Sequence, residues 1–327
     1  MNGNVITNPH GNIPKNKKSH TLGWSKIWSE LLNAEINHKC DKDILNYEKV
    51  YIDHGVNFGG SLNLFGGANE ELFNKFNTLM KKDPSYIYSL DRPMPDFGKM
   101  LKGRLKAKTT FSGIDEEWCN KLSEFCKYVS YIDHKTLICS TEVPCTLGDS
   151  HSLAFSKKND IVIKRNGRTL EGALNKGLIN YLDDISPDRG VLTLCLGSID
   201  IRHHICRDEV PEESLILLLD EYVRQVDSLE KDYGFNIEIC APVPVEYEAR
   251  RIPKTGYFEG TPFYGSLEQR QELTQFFIEY IKERKNIVLP PSNWYIIDPE
   301  LYAKQIMELS SSVHISPTHY RRYNWGL

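Results

Sequence analysis

Apolar runs too short to be helices recur along the second half of this chain, near residues 143, 161, 191, 236 and 294. Between them, 212–229 and 267–284 carry apolar residues at helical spacing. Strand-like runs alternating with helical stretches predict a parallel sheet, because parallel neighbours need a crossover and helices are the usual crossover. Five runs predict a doubly wound, five-stranded parallel α/β sheet with helices on both faces. The first half alternates as well. Residues 49–53 and 86–91 read as strands, and 22–32, 69–81 and 116–129 as helices, the last with Trp118, Leu122, Phe125, Cys126 and Val129 as a stripe. A smaller α/β domain over 21–135 is therefore expected ahead of the five-stranded domain over 136–327. Residues 1–20, rich in Asn, Lys, Gly and Pro, are expected to be poorly ordered.

Composition narrows the class. With 327 residues, 40% of them hydrophobic and 26% charged, the chain reads as an ordinary soluble globular protein. A net charge of -4 gives no basic footprint for nucleic acid. No apolar stretch is long enough for a bilayer and no signal-type segment opens the chain, so a cytoplasmic protein without membrane contact is expected. The 8 cysteines include no C-x-x-C pair, which argues for reduced thiols and against a zinc site.

Three short stretches carry the chemistry. Gly148-Asp149-Ser150 ends the first apolar run of the second half, where a glycine lets the chain turn sharply and leaves the Ser150 hydroxyl exposed at a strand-to-helix turn. A helix beginning there would favour developing negative charge. Gly197-Ser198-Ile199-Asp200 ends the third run and leads into Arg202-His203-His204. If extended, Arg202 and His204 share a face at the carboxyl edge of the sheet, and with Asp200 they are candidate substrate contacts. An arginine there suits a carboxylate or phosphate. Val313-His314-Ile315-Ser316-Pro317 lies near the end of the chain. In the first half, a glycine-rich stretch over 53–67 is a candidate ligand loop, or else a long surface loop.

From 143 onward these blocks, in this order, resemble the SGNH (GDSL-like) hydrolase superfamily. The resemblance implies a flavodoxin-like parallel sheet, Ser150 as nucleophile, His314 as general base, and Gly167 and Gly197 beside the oxyanion. It implies no metal and no organic cofactor. Two positions depart from the family pattern: Ile199 stands where an asparagine amide is usual, and Ser311 where an aspartate normally supports the histidine. Asp298, in the strand-like 294–298 run, or Asp200 would have to substitute. The function implied is a hydrolase or acyl transferase acting on a small-molecule or glycan-type ester that bears an anionic group. The alternatives are a transferase of sugar or phosphoryl groups on the same fold, with Arg202 binding the donor, and a binding protein whose catalytic apparatus has decayed.

Overall fold

A computed structural model describes residues 2–7, 20–37, 45–53, 70–90, 94, 116–132, 145–158, 160–164, 168–181, 190–244, 264–308 and 313–325. The chain forms two compact units, one of Met1–Lys17 with Thr21–Asp133, the other of Lys18–His20 with His134–Leu327. The glycine-rich stretch after Asp53 lies outside the described residues.

The first unit runs β1 (Asn2–Thr7), α1 (His20–Leu32), β2 (Ala34–Ile36), β3 (Tyr47–Asp53), α2 (Glu70–Lys82), β4 (Ile87–Leu90), α3 (Glu116–Cys126) and β5 (Ser130–Ile132). Its strands pair in parallel in the order β2-β1-β3-β4-β5. Residues 2–7, expected to be poorly ordered, instead form a central strand. Only Val5 and Ile6 are apolar in that stretch, but both are fully buried and β1 pairs on both sides, with β2 and β3. Tertiary pairing overrides a polar local composition. Val50, Ile52 and Ile87 of the sheet pack with Phe73 and Met80 of α2 and with Leu122 and Phe125 of α3. The helical stripe foreseen in 116–129 faces this core through Leu122, Phe125, Cys126 and Val129.

The second unit continues with β6 (Cys145–Gly148), α4 (Ser152–Phe155), β7 (Ile161–Lys164), α5 (Leu170–Leu174), β8 (Val191–Cys195), α6 (Ser198–His203), α7 (Pro211–Tyr233), β9 (Asn236–Cys240), α8 (Leu267–Lys282), β10 (Asn286–Val288), α9 (Asn293–Ile296), α10 (Pro299–Gln305) and α11 (Arg321–Asn324). The sheet is parallel, ordered β10-β9-β8-β6-β7. Four strands fall where the apolar runs predict them; the fifth does not. Residues 294–298 are helical through 296, and the fifth strand is Asn286–Val288. Aromatic and β-branched residues give 294–298 the composition of a strand. Trp294 turns inward, however, while Ile296 is 85% exposed, and Pro290 ends the strand that precedes them.

Leu147, Leu192, Leu194, Ile237 and Ile239 are buried, as strands covered on both faces require. One polar row interrupts this core. Thr146, Thr193 and Glu238 are mutual partners across β6, β8 and β9. Thr146 donates to Asp160 Oδ2 at 2.7 Å, and Glu238 takes Lys157 at 3.0 Å and Arg321 at 3.5 Å. The row thereby holds the end of the chain: Arg322 donates to the Lys157 carbonyl at 2.7 Å, and Trp325 meets Phe155 edge-on at 5.2 Å. Such an aromatic pair adds about 0.5–1.5 kcal/mol beyond the area it buries.

Among the described glycines, Gly148 has the least room for a side chain. A methyl group there would lie 2.0 Å from the Cys195 carbonyl oxygen, and that atom belongs to backbone paired on both sides. Gly148→Ala is expected to cost about 3 kcal/mol or more. Gly3→Ala, with nothing within 4 Å of the added methyl, should stay within about 0.5 kcal/mol. Denaturant melts of the two variants check this.

Candidate active site

The strand order makes β6 and β8 the pair from which successive crossovers leave in opposite directions. In open α/β sheets the crevice outside the carboxyl ends of such a pair is the ligand site. Ser150 follows β6 at this point and Gly197 follows β8.

The turn after β6 is built by Asp149. Its N–H donates to the Cys195 carbonyl at 3.0 Å, and its carbonyl accepts from the Ser152 hydroxyl at 2.7 Å. One carboxylate oxygen, Oδ1, accepts from the His151 main-chain N–H at 2.7 Å and pairs with His151 Nδ1 at 3.0 Å. An aspartate that bonds the backbone two residues on is a standard turn device. Asp149 and His151 are buried, and Ser150 between them is half-buried at the tip. The helix that follows spans only Ser152–Phe155, so its dipole lends the site little.

After β8, Gly197 has φ 102°, and an added Cβ would sit 2.9 Å from the Phe277 ring. Both demands select glycine. The Ser198 hydroxyl accepts from the Val243 N–H at 3.3 Å, joining the exits of β8 and β9. Among the described residues, the main-chain N–H groups of Ser150 and Gly197 find no acceptor. Gly167 lies outside the described residues, as does Ser311.

His314 reaches the crevice on a hairpin that the sequence pattern did not reveal. Met307 bridges Ile315 antiparallel, the Glu308 N–H donates to the His314 carbonyl at 2.9 Å, and the Ser316 N–H donates to the Ile306 carbonyl at 2.8 Å. This pairing sets Glu308 Oε1 3.3 Å from His314 Nδ1. The carboxylate absent from position 311 is thus supplied six residues before the histidine, from the opposite arm. Burial pushes the His314 pKa down, helped by the charges of His151 and Arg202, and together these outweigh the opposing pull of Glu308. In a neutral ring, a proton on Nδ1 facing Glu308 makes Nε2 the basic nitrogen. The His151 ring lies 6.1 Å from the His314 ring, and its Nε2 is 2.9 Å from the Val313 carbonyl oxygen.

The remaining candidates take structural places. Asp200 accepts from the Leu170 and Glu171 N–H groups at 2.7 and 3.1 Å, capping α5 with both oxygens, while the carboxylate at His314 Nδ1 is that of Glu308. Asp298 caps α10 through the Leu301 N–H at 3.0 Å, which removes the other proposed acid. Arg202 lies on α6 rather than on an extended segment, so it shares no face with His204. It is 3% exposed, and its Nε donates to the Ser198 carbonyl at 2.8 Å. Half-buried His204 ends α6, its pKa lowered by burial and by Arg207. Among the described residues no three His, Cys, Asp or Glu side chains converge as a metal site, and no helix is long and apolar enough to cross a membrane. Comparison with protein-family models, curated proteins and solved structures finds no match.

Burial raises the Asp200 pKa to about 6, against the pull of the N–H groups it caps. A carboxyl whose folded pKa is raised binds its proton more tightly when folded. Its contribution is full below the unfolded value and is lost as pH rises through about 6. Asp200→Asn should remove one capping bond at every pH, and it should also flatten stability between the two values by up to about 2–3 kcal/mol relative to the parent. Urea melts on either side of the interval read both effects.

Proposed function

We propose that the chain is a serine hydrolase or acyl transferase for an ester-type substrate, with Ser150 as nucleophile, His314 as general base and Glu308 as the acid that orients the base. The observation that carries this is the difference between His151, next to Ser150 in the chain, and His314, whose ring lies 6.1 Å from that of His151. Both ring nitrogens of His151 are engaged, one by Asp149 and one by the Val313 carbonyl, so it has no lone pair to offer a hydroxyl. His314 is held at Nδ1 by Glu308, which gives its Nε2 the character of a base.

In this mechanism the Ser150 Oγ bonds to the substrate carbonyl carbon while His314 takes the hydroxyl proton. The carbonyl electrons move onto oxygen, where the unengaged N–H groups of Ser150 and Gly197 receive the charge. Collapse expels the leaving alkoxide, which takes the proton back from His314 and leaves an acyl-Ser150 ester. Water or an acceptor hydroxyl, deprotonated in turn by His314, releases the acyl group. The Ile199 position then loses little, because two main-chain donors serve where a side-chain amide is usual. Arg202, enclosed beside Asp149, gives no ground for an anionic group on the substrate.

A fluorophosphonate probe should label Ser150 in the purified protein. Ser150→Ala should abolish labelling without loss of fold, and removal of serine-triad members lowers turnover by up to about 10⁶. Glu308→Gln should slow labelling by up to about 10⁴, the effect of leaving a base with the wrong tautomer. The rate should fall as pH drops through a midpoint below the ordinary imidazole value of 6.5. An unlabelled, folded parent protein would overturn the mechanism and favour the non-acyl transferase.

A further inference from the structure

We propose that His151 is a strut with an N–H donor at each ring nitrogen, an imidazolium that ties the Ser150 turn to the Val313–His314 segment and imposes its field on His314. For its catalytic consequence this rests on the hydrolase mechanism above; its structural and electrostatic content does not.

The charge follows from hydrogen-bond inventory. A backbone carbonyl has no proton to give, and an ionised carboxylate only accepts. His151 Nε2 meets the Val313 carbonyl at 2.9 Å and its Nδ1 meets Asp149 Oδ1 at 3.0 Å. Asp149 Oδ1 sits within hydrogen-bond distance of two His151 nitrogens, the main-chain N–H at 2.7 Å and ring Nδ1 at 3.0 Å, the accepting pattern of a carboxylate. A neutral imidazole would turn a lone pair toward one of these oxygens at hydrogen-bond distance. Two N–H donors satisfy both, and Asp149 and His151, each at most 2% exposed, then form a buried ion pair in which Asp149 Oδ1 is engaged and Oδ2 has no hydrogen-bond partner.

The position gives the charge a use. The hydrogen bonds that shape the hairpin, Glu308 to His314 and Ser316 to Ile306, are internal to it. The bond from His151 crosses 162 residues of sequence and joins that hairpin directly to the turn bearing the nucleophile. Among the described residues, charged or titratable groups face His314 from several elements: Glu308 from the 306–316 pairing, His151 from the turn and Arg202 from α6. His151 is in turn faced by Asp149. A cation whose ring is 6.1 Å away discourages a second imidazolium, so the strut both places His314 and keeps it basic in form. His151 is a positioning residue in this scheme, since it touches neither substrate nor the transferred proton.

The test is nuclear magnetic resonance of the full chain with ¹⁵N-labelled histidine, beside probe labelling as a function of pH. The parent is expected to show both His151 ring nitrogens protonated near neutral pH. In His151→Gln the His314 titration midpoint should rise by about one pH unit, the scale of a unit charge at this distance in a partly buried site. The acid limb of fluorophosphonate labelling should move by the same amount. A merely structural contact would lower the rate without moving the midpoint. A neutral His151 ring in the parent, or an unmoved His314 midpoint in a folded variant, overturns the proposal. Should His151→Gln fail to fold, the parent spectrum alone decides. If the spectrum and the midpoint agree but Ser150 never labels, the strut stands and the hydrolase mechanism falls.

Discussion

Between Gly148 and the Cys195 carbonyl there is no room for a methyl group, and most of the candidate site depends on that contact. Because the strands meet this closely at their carboxyl ends, the next N–H, that of Asp149, bonds the same carbonyl and the chain must turn there. Asp149 then closes the turn, Ser150 is left at its tip, and His151 is directed toward the hairpin. A side chain at 148 would push β6 from β8 and disperse all of these at once. The constraint is one of packing between two backbones, and the electrostatics are built on top of it.

Two aspartates close to this turn illustrate how burial is resolved. Burial raises Asp149 and Asp200 alike. Asp149 nevertheless falls below its ordinary range, because His151 and Arg202 bring positive charge to it. Asp200 rises to about 6, because burial is answered only by neutral N–H groups and Asp149 adds negative charge nearby. The contrast explains why the first carries an ion pair and the second serves as a helix cap. The same distinction separates the histidines: His151 faces two acceptors, whereas Glu308 engages His314 at Nδ1.

The strand–helix alternation was legible because parallel strands buried on both faces must be short and apolar, and four of them in the second unit are. What escaped were elements whose stability is not local. β1 has two apolar residues and is a strand through its partners. β2, β5 and β10 span three residues each, too few for a period to register. The 294–298 stretch misled in the opposite direction, since its β-type composition serves an inward Trp294 on a helical turn. In the site, Ser150, Gly197 and His314 stood out through glycine and polar residues at the ends of apolar runs. Glu308 did not, since its approach to His314 exists only once 307 and 315 pair. The face that Arg202 and His204 were expected to share is lost because the six residues from Ser198 to His203 are helical rather than extended.

Ser150 and His314 are separated by nearly the same stretch of sequence that the His151–Val313 bond spans, 162 residues. A ribosome adding about 5–20 residues per second needs roughly ten to thirty seconds to cover that distance. For most of that interval residue 314 has not been synthesised, whereas the Asp149–Cys195 bond needs only residues up to 195. On the mechanism proposed above, a nascent chain carries an inert serine until residue 314 has been added and the 306–316 pairing has formed.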